Sequence, residues 1–317
     1  MPGRPPGGGP GIGLDDPMRI ARDADVLALP AADAVEVMRG AVADHAAGRL
    51  IAPPRSTVAL GEAALTLTAG RAPGVAAGFR MYSAGAEDPT ELTLVLDAQA
   101  GPGIVLGREL GRRRTGALGG VAADLAARPD ATVIGLVGAG RQAFAQLWAI
   151  AAVRALTRVR VSTRSARTAQ RFAERARAEL GLAVETVDSP RAAVDGADIV
   201  VLATPSTRPL IDADWIADGA HVHTLGPKGA EPGECPIELV QRAAVLMSDS
   251  PDQLAAMQGP GAPWTGGAPV ASLGAIARGD AAGRSGAGDV TVYASVGLAG
   301  TEVLLARLVL ARSGAPA

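Results

Sequence analysis

The sequence holds one cysteine, Cys235, in 317 residues. That excludes an internal disulfide framework and a multi-cysteine zinc site. Aromatic side chains make up only 3% of the chain against 48% hydrophobic residues, so the core must be built from Ala, Val and Leu. Neither sign of charge dominates: 30 Lys and Arg stand against 32 Asp and Glu, a net charge of −2. Nothing here has the basic footprint of a nucleic-acid binder. The first thirteen residues, MPGRPPGGGPGIG, lack the apolar core of a signal peptide and read as a flexible tail. The longest uncharged stretch, 253–277, contains Pro260, Pro263 and Pro269 among several glycines. A lipid-facing helix would break repeatedly there, so it reads as a loop with one short helical turn and not as a membrane span. With no export signal and no span, the expected setting is the cytoplasm. The 41 glycines and 23 prolines call for many turns.

What is there falls into three blocks, and the length suits about two domains. Residues 24–50 read as one or two amphipathic helices, with Val35, Met38, Val42 and Ala46 on one face. Residues 55–110 carry strand signals at Thr57-Val58-Ala59-Leu60, Ala64-Leu65-Thr66-Leu67-Thr68 and Leu92-Thr93-Leu94-Val95-Leu96. Separated by Gly and Asp turn residues, they suggest an antiparallel meander. From 131 onward, short apolar runs alternate with helical patterns: 133–137, 159–162, 184–186, 199–203, 222–225 and 245–248. Runs without polar alternation fit strands buried on both faces of a parallel sheet. The expected class is α/β, with an α+β unit followed by a doubly wound unit.

The strongest motif is the apolar run from Val133 to Val137 leading into Gly138-Ala139-Gly140-Arg141-Gln142-Ala143. Gly138 permits a tight turn, Gly140 lets the backbone approach a diphosphate, and Ala143 is small enough for helix-on-strand packing. The N–H groups that open the helix then face the anion. An acid about 20 residues further on would hold the ribose hydroxyls of NAD. Here the next strand ends in Thr163-Arg164-Ser165. Arg164 is suited to clamp a 2′-phosphate with the two hydroxyls assisting, which favours NADP(H) over NAD(H); the alternative is a solvated arginine at a helix start. Thr204-Pro205-Ser206 follows the strand at 199–203 and is placed to line the nicotinamide side, or is a plain proline turn.

These residues and several others resemble the ornithine cyclodeaminase/mu-crystallin family from about Met18 to Ser313. Asp25-Val26 and the helix ending His45-Ala46-Ala47-Gly48 look like its opening, and Pro53-Pro54-Arg55 matches its Pro-x-Arg segment. Leu96-Asp97 and Gly101 resemble its Leu-Asp-x-x-Thr-Gly hairpin, with Ala100 for the threonine, and Arg114-Thr115-Gly116-Ala117 its Arg-Thr-Ala-Ala helix start. The turn at 138–143 matches its Gly-x-Gly-x-Gln-Ala. Gly283-Arg284, Asp289-Val290-Thr291-Val292-Tyr293 and Ser295-Val296-Gly297-Leu298-Ala299 follow its Gly-Arg…Thr-(Val)-Phe-x-Ser-x-Gly-x-Ala signature. The order and spacing of these matches, taken together, are specific.

The resemblance implies a Rossmann-type doubly wound domain, residues 118–287, inserted into an α+β substrate-binding and dimerisation domain, residues 14–117 plus 288–317. It implies a homodimer and a small amino or imino acid substrate whose C–N carbon faces the nicotinamide. It also implies hydride transfer at that C–N bond, by an imine or ketimine reductase or an amino acid dehydrogenase. By match, Arg55 and Arg114 hold the substrate carboxylate, as planar guanidinium groups do. From residues alone, Arg112-Arg113-Arg114 also reads as a solvated basic face.

Two departures matter. Gly78-Phe79-Arg80 stands where the family has Gly-x-Lys. Arginine cannot give up a proton at working pH, but it can stabilise an oxyanion or hold a carboxylate. Leu225-Gly226-Pro227-Lys228 stands where cyclodeaminases have Gly-x-Asp. Lys228 would repel a cationic ornithine side chain; desolvated beside Arg80 it would serve as acid/base, whereas turned to solvent it would do nothing. Glu234 reads as a structural partner or a helix-start residue. His221 and His223 flank Val222 and face the same way, but no third ligand is evident, so no metal is expected and packed histidines are the plainer reading. Ornithine cyclodeaminase itself, a lyase, and a non-catalytic NADPH-binding crystallin-like protein are the alternatives.

Overall fold

The computed structural model describes residues 17–72, 76–84, 91–229, 233–258 and 264–313. The segment read as a tail, 1–13, lies outside them. The chain divides into two compact units. The first takes residues up to Leu29, Gly48–Leu110 and the chain from Ala299; the second takes Pro30–Ala47 and Gly111–Leu298 and so is inserted into the first along the sequence.

The first unit contains β1 (Arg19–Arg22), α1 (Asp23–Leu27), β2 (Ser56–Leu60), β3 (Ala63–Ala72), β4 (Ala76–Ala84), β5 (Glu91–Asp97), β6 (Gly101–Leu106) and the C-terminal helix α10 (Thr301–Arg312). The strands form one sheet in the order β1-β6-β5-β4-β3-β2, an antiparallel meander with β1 added parallel to β6. Period-2 alternation gives the sheet two characters. On β5, Thr93, Val95 and Asp97 are buried on the face that α10 covers. Leu92, Leu94 and Leu96 point the other way. Register places Ile20, Ile104, Phe79, Leu67, Leu65, Val58 and Leu60 beside them on that second face. That face is apolar and open: Val58 and Leu60 are 56% and 58% exposed.

The second unit contains α2 (Ala31–Ala46) and α3 (Glu109–Ala126), the latter counted from Gly111. It continues with β7 (Val133–Val137), α4 (Arg141–Ile150), β8 (Arg158–Ser162), α5 (Ala166–Leu180), β9 (Val184–Thr186), α6 (Pro190–Val194), β10 (Ile199–Leu202) and β11 (His221–Thr224). It ends with α7 (Ile237–Arg242), β12 (Val245–Ser248), α8 (Pro251–Gln258), β13 (Val270–Ser272), α9 (Leu273–Arg278) and β14 (Thr291–Ala294). Its eight strands are all parallel, in the order β13-β12-β14-β11-β10-β7-β8-β9. The order reverses at β7, so the switch point lies between the carboxyl ends of β7 and β10, where doubly wound sheets bind ligands. Separate apolar clusters, around Val200, Val222 and Leu239 and around Leu136, Phe144 and Val161, fill the two faces.

The stretch at 253–277 is more ordered than a loop with one turn. It holds the end of α8, the edge strand β13 and most of α9. Ser272 caps α9, its Oγ accepting the Ala275 N–H at 3.4 Å, and Gly279 ends it in the left-handed region. Residues 259–263 lie outside the described ones. No helix among the described residues is long and apolar enough to cross a membrane.

Candidate active site

The Gly138 turn leaves the sheet at the switch point. Gly138 has φ +103°, and a Cβ there would lie 2.5 Å from the Ala203 carbonyl oxygen at the end of β10. The glycine is therefore needed by the fold itself. Gly140 is different. It is the N-cap of α4 with no side-chain cap, and a Cβ on it would meet no protein atom within 4 Å. The helix-opening residues Arg141, Gln142 and Ala143 thus follow an N-cap with no side chain and open space beside it. That is the cradle a diphosphate requires, and the turn fits a dinucleotide. Ala139 and Gln142 are half-buried beside it and Arg141 is exposed, while Ala143 is fully buried where α4 meets the sheet.

The neighbouring strand, β8, ends beside this turn, and the Gly138 N–H donates to the Ser162 carbonyl at 2.8 Å. Thr163 is half-buried and Arg164 exposed. The Ser165 hydroxyl caps α5 by accepting the Thr168 N–H at 3.3 Å. Of the three, Ser165 therefore has a structural duty of its own.

Glu234 is the hub of the next two strand ends. Fully buried, its carboxylate accepts the Thr204 N–H and hydroxyl at 2.7 and 2.8 Å, the Thr224 hydroxyl at 3.2 Å, and the N–H groups of Leu225 and Gly226 at 3.0 and 2.6 Å. It is the structural partner the sequence suggested. It ties the turn after β10 (Thr204, Pro205 and Ser206) to the turn after β11. Ser206 closes its own turn, its hydroxyl donating to the Arg208 carbonyl at 2.7 Å.

Lys228 lies in the second of those turns and is 1% exposed. Its ammonium donates to the Gly226 carbonyl at 2.9 Å and to the Ser295 carbonyl at 3.0 Å. Burial pulls its pKa down to about 8, against the opposing pull of the Glu234 and Asp249 charges. A lysine so placed exchanges a proton near neutral pH. The alternative in which it turns to solvent does not hold.

The loop after β14 joins these groups. Asp249, 1% exposed at the end of β12, accepts the N–H groups of Val296, Gly297 and Leu298 at 3.0, 2.9 and 3.2 Å. The loop so folded meets Arg114 at Gly297. A Cβ on Gly297, whose φ is +83°, would lie 2.7 Å from the Arg114 Nη1. Arg114 is 6% exposed and Arg113, stacked on Trp148 at 4.1 Å, is 4% exposed, so the arginine run is not a solvated face. Sequence reading missed Asp249. Its one signal was an acid at the carboxyl end of a strand, in Ser248-Asp249-Ser250.

In the first unit, Arg80 lies on β4, opposite Thr68 and Thr93. Its guanidinium pairs with Glu91 at 2.6 Å, reaches Glu302 at 3.7 Å and lies over the Tyr82 ring at 4.5 Å. Arg55, half-buried, immediately precedes β2. His221 and His223 are both fully buried and share one face, as expected. His221 Nδ1 meets the Thr291 hydroxyl at 2.7 Å, His223 Nδ1 meets Gln146 Oε1 at 3.0 Å, and the two Nε2 atoms lie 2.7 Å apart. Burial holds both well below the usual imidazole range, His223 at about 3, so the pair is neutral. Cys235 is buried and its thiol pKa is pushed up, which makes it an inert apolar group.

The model of the family described as "Ornithine cyclodeaminase/mu-crystallin family" matches residues 28–315. A putative dehydrogenase of Rhizobium meliloti is 34% identical over 64% of this chain and 63% of its own length, so the match spans less than two thirds of that relative. A Delta(1)-pyrroline-2-carboxylate reductase of Bacillus cereus is 31% identical over 70% of each chain. Among solved structures, the Delta(1)-pyrroline-2-carboxylate reductase of Thermococcus litoralis, in complex with NADH and L-proline, superposes with a TM-score of 0.83. It is 25% identical, and the match covers 93% of this chain and 97% of that one.

Proposed function

The chain belongs to the ornithine cyclodeaminase/mu-crystallin family, and from that premise we propose that it is an NAD(P)-dependent oxidoreductase that reduces the C=N bond of an imino acid or ketimine, or runs that reaction backwards on an amino acid. The observation that carries this reading is Lys228. A buried ammonium with a pKa of about 8 stands where a cyclodeaminase is expected to carry an acid. It repels the second amino group that a diamino acid would bring, and it supplies a proton to the nitrogen of a reduced imine. The reduced nicotinamide, when bound, supplies the hydride. Arg114 grips the substrate carboxylate, with Arg55 as the second guanidinium. Arg80 assists through its pairing with Glu91 and Glu302. The phosphate turn holds the diphosphate, the Thr204 turn faces the nicotinamide, and Arg164 selects NADPH over NADH. Residues 118–287 serve the cofactor; 14–117 and 288–317 serve substrate binding and dimerisation.

The partner is a second copy of the chain. The support is the open apolar face of the six-stranded sheet, with Ile20, Val58, Leu60 and Leu96 between 37% and 58% exposed on one side. Such a face is costly to leave in water. The setting we assign is the cytoplasm. The test is NADPH oxidation against cyclic imino acids and against keto acids plus amines, comparing wild type with Lys228→Ala and Arg114→Ala. Turnover in wild type that both variants lose supports the reading. Ammonia and proline from ornithine, with no net change in NADPH, or tight NADPH binding without turnover of any of these compounds, contradict it.

A further inference from the structure

Gln146 is the one amide side chain in the apolar run 143–150 of α4, and it is 0% exposed. An amide buried that deeply is tolerated where its donors and its acceptor are met. Its Nε2 donates to the Thr115 carbonyl of α3 at 3.0 Å, and its Oε1 lies 3.0 Å from His223 Nδ1 on β11. A backbone carbonyl only accepts, so Thr115 fixes which way the amide faces. The Oε1 then calls for a donor, which makes Nδ1 the protonated nitrogen of the neutral His223 ring. His223 Nε2 is left to accept, and the Nε2–H of His221 donates to it at 2.7 Å. His221 Nδ1 in turn accepts from the Thr291 hydroxyl at 2.7 Å. Each donor along this chain is settled by the Thr115 carbonyl at its end. The His223 ring stands edge-on to His221 and to Tyr293, with centroids 4.6 and 5.2 Å away, so it is held in place.

The ends of the chain lie at the parts of the candidate site. Helix α4 opens at the phosphate turn, and Gln146 stands about one helical turn further along it. Thr115 follows Arg114 directly, with their Cα atoms about 3.8 Å apart. The two helices meet there backbone to backbone. A Cβ on Gly116 would lie 2.3 Å from the Ala145 carbonyl oxygen, and one on Gly119 would lie 1.8 Å from Gln146 Oε1. A glycine face brings helices close but offers no ridge to lock their register. The bond from Gln146 to Thr115 supplies that lock. His223 is the penultimate residue of β11, the strand that runs into the Lys228 turn.

We propose that Gln146 is a positioning residue: by tying the Thr115 carbonyl to α4, it sets Arg114 in register with the coenzyme turn. This rests on the functional reading above, in which Arg114 grips the substrate carboxylate and the phosphate turn holds the coenzyme. Gln146 acts through Arg114. Reacting atoms must meet at about 3–3.5 Å, and a misplacement of about 1 Å is enough to cost ~100-fold in rate, so a small slide of α3 along α4 would be felt.

The test is a double-mutant cycle read by binding, with pyrrole-2-carboxylate as the probe on the NADPH-loaded protein. Gln146→Met keeps the length of the side chain and removes both hydrogen bonds. It should leave NADPH affinity unchanged and weaken the probe about tenfold, within the range of coupling inside one hydrogen-bond network. In the Arg114→Lys background the two-armed grip is already lost, and there the same substitution should weaken the probe no further. A purely structural role would weaken it in neither background, or by the same factor in both; either result overturns the proposal, as does no binding of the probe by wild type. Should Gln146→Met not fold, Gln146→Asn, one methylene shorter, takes its place in the cycle. Nitrogen-15 NMR of the 3 histidines in the chain checks the amide without any variant. His223 protonated at Nδ1 and His221 at Nε2 is the expected pattern. His223 protonated at Nε2 would turn the amide oxygen onto the Thr115 carbonyl and overturn the proposal. Turnover is not part of the readout. A cycle that is non-additive in this way, in a protein that never oxidises NADPH, would sink the functional reading and uphold this inference.

Discussion

The Asp249 carboxylate accepts the Gly297 N–H at 2.9 Å, and Gly297 in turn lies against the Arg114 guanidinium. One buried acid thereby sets the loop that covers a buried cation. Asp249→Asn keeps the shape but loses the charge that three N–H groups share, and should cost about 1–3 kcal/mol in urea unfolding. Gly297→Ala forces a side chain into the left-handed region and towards Nη1. It should cost about 1–3 kcal/mol and raise KM for a carboxylate substrate more than it lowers kcat. Wild-type stability in Asp249→Asn would show that the loop does not depend on it.

Lys228 makes stability depend on pH. Its pKa falls from 10.5 to about 8 on folding. Between those values the unfolded chain binds more protons than the folded one, so this group's contribution rises as pH climbs from about 8 to 10.5 and is flat below. The gap corresponds to about 3 kcal/mol. Lys228→Met should therefore be more stable than wild type at pH 7, by up to that amount, and the difference should close by pH 10.5. A difference that does not change with pH would place the ammonium in water.

The two glycines of the phosphate turn should separate fold from ligand. Gly138→Ala puts a Cβ 2.5 Å from the Ala203 carbonyl at a positive φ and should cost at least about 2 kcal/mol. Gly140→Ala meets no protein atom, so its melting temperature should stay near wild type while NADPH binding weakens at least tenfold by calorimetry. Equal NADPH affinity in Gly140→Ala would move the diphosphate elsewhere.

Much of this was legible in the sequence. The parallel strands β7, β10 and β12 announced themselves as continuous apolar runs because both of their faces are buried, whereas the edge strand β9 is largely exposed. Strands β4 and β6 did not, since Gly78 and the Gly101-Pro102-Gly103 start of β6 mask their alternation. Arg114 was ambiguous in a run of three arginines, and only burial resolves it. Glu234 and Asp249 act as acceptors for backbone N–H groups that reach them from other strand ends, up to 49 residues away. Such roles arise from the order of strands in the sheet, which residue spacing does not encode. The histidine pair was read correctly as packed, but its outer partners, Thr291 and Gln146, lie 70 and 77 residues away.

Cofactor choice rests on Arg164, exposed at the end of β8 in a loop without an acid. Arg164→Ala should weaken NADPH about ten- to a hundredfold, the worth of a charge-assisted pair to phosphate at roughly 1.5–3 kcal/mol, and leave NADH unchanged. Steady-state KM values for the two coenzymes check this. Equal losses for both would assign Arg164 to some other duty.

The most direct test of the account follows the hydride itself. Wild-type protein is supplied with NADPH carrying deuterium at both C4 positions of the nicotinamide and with a cyclic imino acid, and the product is read by mass spectrometry. One deuterium at the α-carbon of the amino acid product, matched by one NADPH consumed, is the result predicted here. A product without deuterium, or no product from a protein that holds the coenzyme, would contradict it.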